Sequence, residues 1–234
     1  MKTVFINQPA GIGDIFFCQK IACSFINKGH GIVWPVISEF LPTVRYISNG
    51  INFIDINSDF PHKKEFHQTK IIREIGEDII LPLRYADLSF SGSMMDAKYK
   101  MADIPFEDWP IYFNFHRNKE KESYLYHDIL KLNDDEPYIF INENYGSPPN
   151  PARRGIKIGS DKKKVYMDFY PDITLFDWIR VFENSSEIHT VETALNYIVE
   201  VTPIQSKLFM YPKLPHNHFN YISHLFKKPW IYKQ

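Results

Sequence analysis

A glycine-bearing loop that ends in an acid, Gly11-Ile12-Gly13-Asp14, stands between a short apolar run and a stretch of helical spacing. Glycines at such a place let the backbone come close to a ligand, and a helix start offers N–H groups without intrahelical acceptors. Asp14, read as the first residue of that helix, has two readings. It is a plain N-terminal charge stabilised by the helix dipole. Or it is an ionised carboxylate at the ligand-binding edge of a sheet, placed to take a proton from an attacking hydroxyl. The loop is not a dinucleotide fingerprint, because a third glycine is missing at the required offset. Trp34 and Pro35 also stand where an acid should end the second strand. Nor is it a P-loop, since no Gly-Lys-Ser/Thr follows.

A second constellation is Glu187-Ile188-His189-Thr190-Val191-Glu192-Thr193-Ala194-Leu195. A strand ending near Val191 would lead into a helix opening at Glu192-Thr193-Ala194, where the Thr193 hydroxyl and neighbouring N–H groups suit a phosphate. Ordinary helix capping explains the same residues. Glu192 suits ribose hydroxyls or other donors better than phosphate. His189, inside the strand, fits a buried, hydrogen-bonded histidine better than a catalytic one, and is kept among the donor-side candidates. The third constellation is basic: Arg153, Arg154 and Lys157 in a Pro/Gly-rich loop. Such a cluster is a solvated face or a phosphate-binding loop. Lys98, Tyr99, Arg117 and Asn196 are further cleft candidates.

Other chemistries lack their motifs. The nine histidines show no zinc spacing, and no Gly-x-Ser-x-Gly elbow marks an α/β-hydrolase. The two cysteines, Cys18 and Cys23, lie five apart on one predicted helix. They point about 140° apart, which suits neither a disulfide nor a shared metal. A net charge of −1 argues against general nucleic-acid binding or membrane coating. With 33 Phe and Tyr residues among 234, disorder is excluded as the main state. The first residues do not read as a signal peptide and no apolar run is long enough to span a bilayer, so a cytoplasmic protein is expected. Its oligomeric state is left open.

The elements that must position these residues alternate. Thr3–Ile6, 32–36 and 52–56 read as strands, and 14–28 and 42–48 as helices, with Gly29 as a stop. This order implies a parallel, doubly wound sheet. Runs 70–75 and 78–83 are β-like on either side of Gly76; 94–101 is helical; 102–116 reads as an ordered loop or linker; 118–132 is a charged helix. A second series follows, with strands at 138–142, 164–168, 188–191 and 207–211. Helices are expected at 175–183, opened by a Thr174/Asp177 capping box, and at 192–200. The amphipathic tail, 220–230, is expected to form a helix that packs back on the body, in a two-lobed protein on the first lobe. The predicted fold class is α/β with two Rossmann-like lobes of mostly parallel sheets, residues 1–116 and 117–234.

Two stretches carry a family resemblance. The first strand, Gly11-Ile12-Gly13-Asp14, the helix ending at Lys28-Gly29, and Ile32-Val33-Trp34 resemble the start of the heptosyltransferase-like (family nine) glycosyltransferases. His189 to Tyr197 resembles that family's later motif, a strand followed by Asp-Thr/Ser-small-x-His at a helix start; Glu192 stands at the Asp and Asn196 at the His. The resemblance implies the GT-B fold, with the active site between an acceptor lobe and a donor lobe, in a chain shorter than is usual for that family and so a minimal member. It implies inverting, metal-independent transfer of a sugar from a nucleotide-diphosphate donor, the co-substrate, to a glycan or other hydroxyl acceptor, with no cofactor. Asp14 matches the general base. Thr193 and Ala194 match the donor-phosphate helix start, with Gly11, Gly13, Arg153, Arg154, Lys157, His189 and Glu192 on the ligand side and Lys98 and Asn196 in the cleft. The alternative is a nucleotide- or sugar-binding protein that has the fold without turnover. A Rossmann-like oxidoreductase would need the dinucleotide fingerprint that is absent.

Overall fold

A computed structural model describes residues 2–87, 93–146, 150–214 and 219–233. Residues 147–149, ahead of the basic residues of that loop, therefore lie outside the described residues. The chain divides into two compact units, Met1–His116 and Arg117–Gln234.

The first unit is built on strands β1 (Thr3–Ile6), β2 (Gly31–Val36), β3 (Asn52–Asp55), β4 (Arg73–Ile75) and β5 (Asp78–Leu81). Their spatial order is β3-β2-β1-β5-β4, parallel except for the β4–β5 pair. The chain runs outward from β1 to β3 on one side, then returns to place β5 on the other. The β1/β5 boundary is therefore the topological switch point, where open α/β sheets bind ligands beyond their carboxyl ends. Phe5, Phe66 and Ile80 form one buried core cluster of the unit. The helices are α1 (Ile12–Phe17), α2 (Gln19–Asn27), α3 (Leu41–Val44), α4 (Lys63–Gln68), α5 (Met94–Met101) and α6 (Trp109–Tyr112).

Two expectations are corrected in this unit. The single helix expected over 14–28 is two, divided at Cys18 (φ −80°, ψ 8°). The first begins at Ile12, so Asp14 is its third residue rather than its first. The stop at Gly29 is as expected: at φ +82° it donates to Ile26 O, and His30 N–H reaches back to Phe25 O, a Schellman closure. The loop expected over 102–116 also holds the one-turn helix α6.

The second unit carries α7 (Lys119–Ser123), β6 (Tyr138–Asn142), the short pair β7 (Asn144–Tyr145) and β8 (Ala152–Arg153), and β9 (Lys163–Tyr166). These are followed by α8 (Ile179–Asn184), β10 (Glu187–Val191), α9 (Ala194–Val201), β11 (Lys207–Tyr211) and β12 (Trp230–Tyr232). Its main sheet has the order β12-β11-β10-β6-β9, all parallel. Central β6 is buried throughout, as a strand covered on both faces must be. The switch point of this sheet is the β6/β10 boundary. The Thr174–Asp177 capping box forms, and opens a 3₁₀ turn at Leu175–Trp178 ahead of α8. The charged helix expected over 118–132 instead passes from α7 into a π-helical stretch, Tyr124–Ile129.

The tail differs from expectation. In place of a C-terminal helix it makes two 3₁₀ turns, Phe219–Tyr221 and Ser223–Leu225, and then adds β12 to the edge of the second sheet. Buried Glu200 on α9 explains the path. Its carboxylate accepts from the N–H groups of Lys227 and Lys228 and from the Trp230 indole, at 2.6, 3.0 and 3.0 Å. Such a carboxylate satisfies the turn's donors and anchors the indole in one contact.

Candidate functional site

The loop leaving β1 and the loop leaving β5 are joined by one buried ammonium. Lys98, on α5, is 2% exposed. Its Nζ donates to Gln8 Oε1 at 2.6 Å, just after β1, and to Leu83 O at 3.3 Å, just after β5. The same nitrogen faces Asp14 Oδ1 at 3.1 Å. Asp14 keeps 28% of its side chain exposed, so the pair has a dry cationic end and a solvent-reached anionic end. The helix start behind it needs glycine: Gly11 has φ +79°, and a Cβ there would stand 2.4 Å from Asp14 Oδ2. Gly13 lies in the first turn of α1, among the N–H groups with no intrahelical acceptor.

Cys18 is buried beside this pair, and burial pushes its thiol well above the ordinary range, so it stays neutral. The anion that faces Lys98 is therefore Asp14. Tyr99 has no place in the site. It is buried, donates to Phe17 O at 2.5 Å and packs on the Phe17 ring.

At the carboxyl edge of the second sheet, Asn142 at the end of β6 bridges to Thr190 and Thr193 of the β10 segment, its Nδ2 lying 3.0 and 3.3 Å from their hydroxyl oxygens. Thr193 is the N-cap of α9. Its N–H is accepted by Asn196 Oδ1 at 2.6 Å, and its Oγ1 accepts Leu195 N–H at 3.3 Å. The N–H of Asn196 goes to Thr193 O, so Ala194 supplies the remaining N–H of the first turn. Asn196 is fully buried, and its Nδ2 has no partner among the described residues. Glu192, also buried, accepts from the Tyr221 hydroxyl and faces Lys213 Nζ at 3.4 Å.

The basic loop is organised by an acid that sequence reasoning missed. Buried Glu143, just past β6, accepts Ile156 N–H at 2.6 Å and pairs with Arg153 at 2.6 to 2.8 Å. Arg154 donates its N–H to Glu143 O and its guanidinium to Pro212 O. Lys157 is exposed on the same loop. His189 stands apart from these groups. The residue is 4% exposed, and its ring stacks on Phe209 at 4.3 Å and contacts Tyr211 Oη and Glu187 Oε2 at 3.0 Å each. Burial lowers its pKa despite the Glu187 bond, so the neutral ring donates from Nε2 to Glu187 and accepts at Nδ1. Arg117 is likewise structural. Its guanidinium is shared between Glu122 and Glu183, which ties the start of α7 to the end of α8.

The structure thus gathers Gly11, Asp14 and Lys98 at one sheet edge. It gathers Thr193, Ala194 and Asn196 with neighbouring Glu192 at another, and sets His189 and Arg117 into packing roles. Gln8 and Glu143 were not singled out from the sequence. Their signal was position, as polar residues within two places of a strand end. Among the described residues no three His, Cys, Asp or Glu gather as a metal site. Among the described residues no helix is long and apolar enough to cross a membrane.

No protein-family model matches the chain, and no curated protein matches its sequence. Solved structures do. A family nine glycosyl transferase from Veillonella parvula superposes with a TM-score of 0.59 at 10% identity, covering 99% of this chain and 86% of that one. An E. coli ADP-heptose lipopolysaccharide heptosyltransferase II superposes at 0.60 and 11% identity, covering 100% and 90%. The dodecameric iron-containing heptosyltransferase TibC, in complex with ADP-D-β-D-heptose, superposes at 0.52 and 10% identity, covering 100% of this chain and 64% of that one. The fold is therefore that of the GT-B glycosyltransferases, as the motifs led one to expect.

Proposed function

We propose that this protein is a glycosyltransferase that moves a sugar from a nucleotide-diphosphate donor to a hydroxyl acceptor, with inversion at the anomeric carbon. The observation that carries the reading is Asp14: a partly exposed carboxylate at the switch-point edge of the first sheet, in a fold shared with sugar transferases. In the step, the acceptor O–H gives its proton to Asp14 while its oxygen bonds the anomeric carbon. The bond from that carbon to the diphosphate breaks, and its electron pair leaves with the diphosphate. The donor falls to the second unit, where the α9 start offers the Ala194 N–H and the Thr193 hydroxyl, and Lys157 and Arg154 supply positive charge for the leaving group. With that charge in place the reaction needs no metal ion.

Asp14→Asn is the test. The amide is the same shape and still presents an oxygen to Lys98, so the fold and donor binding persist while transfer is lost. Unchanged turnover in that variant sinks the reading. A second reading, a nucleotide- or sugar-binding protein without turnover, is favoured by the second sheet edge, where the α9 cap residues already bond one another and Glu192 is already met by Tyr221. Product formation from a panel of nucleotide sugars and simple saccharide acceptors separates the two. The same panel read by thermal shift finds the donor, since a ligand at 100-fold its Kd stabilises the native state by about 2.7 kcal/mol.

A further inference from the structure

We propose that Lys98 is a positioning residue for the Asp14 carboxylate, holding Oδ1 so that Oδ2 is the oxygen that receives the proton. The inference rests on the reading of Asp14 as the base. Three features of the first unit carry it, each independent of that reading. First, Lys98 is buried to 2% exposure, and an ammonium removed from water in this way has to be met by oxygens. Three oxygens meet it: Gln8 Oε1 and Leu83 O by hydrogen bonds and Asp14 Oδ1 as an ion pair, contributed by the loop after β1, the loop after β5 and helix α1. The ammonium is thereby fixed by two neutral acceptors just past adjacent strand ends, and Asp14 is the anion paired with it.

Second, the two oxygens of Asp14 differ. Oδ1 faces the ammonium at 3.1 Å, and Oδ2 lies beside Gly11. Third, the space around Oδ2 is kept by glycine. A Cβ on Gly11 would stand 2.4 Å from Oδ2 and 3.2 Å from Cγ, so a side chain at that position would displace the carboxylate. Charge holds one oxygen and the missing side chain clears the other. A fixed carboxylate oxygen is what proton transfer from a bound hydroxyl requires, and a displacement of about 1 Å costs on the order of 100-fold in rate. When the proton arrives, Asp14 becomes neutral while Lys98 keeps its charge and its two neutral acceptors, and the site resets when the partly exposed carboxyl gives that proton to solvent.

The decisive experiment is Lys98→Met, with a crystal structure of the variant and kinetics on ADP-heptose, read as ADP release in the presence of saccharide acceptors. The expected structure shows the Asp14 carboxylate rotated away from its place over Gly11. The expected kinetics are a fall in kcat of about 100-fold with donor KM within about twofold, and partial recovery in Lys98→Arg, which restores the cation. An Asp14 carboxylate that keeps its place in Lys98→Met overturns the positioning role, and the structural arm needs no substrate. If Lys98→Met does not fold, Gln8→Leu removes one anchor of the ammonium and should lower kcat about tenfold at unchanged donor KM; unchanged kcat overturns the role. The underlying reading fails separately, if Asp14→Asn turns over normally.

Discussion

The two sheets place their switch points alike and furnish them differently. At the first, a charged pair spans three segments, and its carboxylate end stays partly exposed. At the second, the polar groups close on one another: Asn142 on the two threonines, Asn196 on Thr193, Tyr221 on Glu192. On the proposed function, the first edge would receive the proton. A ligand at the second would have to exchange internal bonds for its own, and would gain only the difference between the two. Shared topology therefore sets where chemistry can happen, and the local inventory of donors and acceptors sets which chemistry it is.

The largest effect that tests this contrast is in catalysis. Asp14→Asn should lower kcat by on the order of 10²- to 10⁴-fold with donor affinity retained by calorimetry. Glu192→Gln, at the other edge, should change kcat by less than about tenfold, since its carboxylate already serves Tyr221 and Lys213. The reverse ranking would break the comparison.

Next in size is Gly11→Ala. It forces a positive-φ position to carry a Cβ against Asp14 Oδ2, and should cost about 1–3 kcal/mol in denaturant unfolding while also depressing turnover. The equivalent trial at the second edge, Ala194→Gly in the first turn of α9, should cost no more than about 1 kcal/mol. Similar costs at the two positions would mean that Gly11 guards nothing.

Asn196→Ala removes half of the α9 capping box and should cost about 1 kcal/mol by the same measurement. Because it also frees the Thr193 N–H, nucleotide-sugar affinity should stay within about threefold. A collapse of affinity would make Asn196 a ligand rather than a cap.

The smallest effect is in the pH dependence of stability. His189 has its pKa lowered from 6.5 by burial, so the unfolded chain binds the proton more readily than the folded one. Its contribution is present above about 6.5 and is lost as pH falls through the lowered value. Glu187, lowered from 4.5 chiefly by its bond to His189, adds a loss of the same sign further down. The melting temperature should therefore fall on going from neutral pH to about 5, and fall less in His189→Gln. An equal fall in both proteins would remove His189 from the account.

Much of the framework is legible in the chain. Strands β1, β6 and β11 and helix α5 occupy the predicted residues, because each is an apolar or amphipathic run bounded by glycine or polar turns. The Gly29 stop and the Thr174/Asp177 box are equally local, each a backbone request answered within a few residues. The start of α1 was misread by two positions, since the glycines that favour a loop also permit the helix to begin early. The division at Cys18 carries no proline or glycine to announce it. The tail was read as a helix because amphipathic spacing over a short stretch does not reveal that Glu200 will capture two N–H groups and an indole.

By itself the sequence determined the alternation of strand and helix, the parallel character that follows from it, and the loop in which an acid would stand at a sheet edge. These are short-range matters, fixed by side-chain period and by backbone freedom at glycine. Only the tertiary structure decided what Asp14 meets. Lys98 and Gln8 lie 90 residues apart in the chain, yet share a hydrogen bond at the β1/β5 boundary. In the same way Tyr221 reaches Glu192 across 29 residues. Such pairings depend on which strands become neighbours. They are held by charges and donors whose cost of burial is repaid only when distant segments arrive together, and no local pattern encodes that arrival.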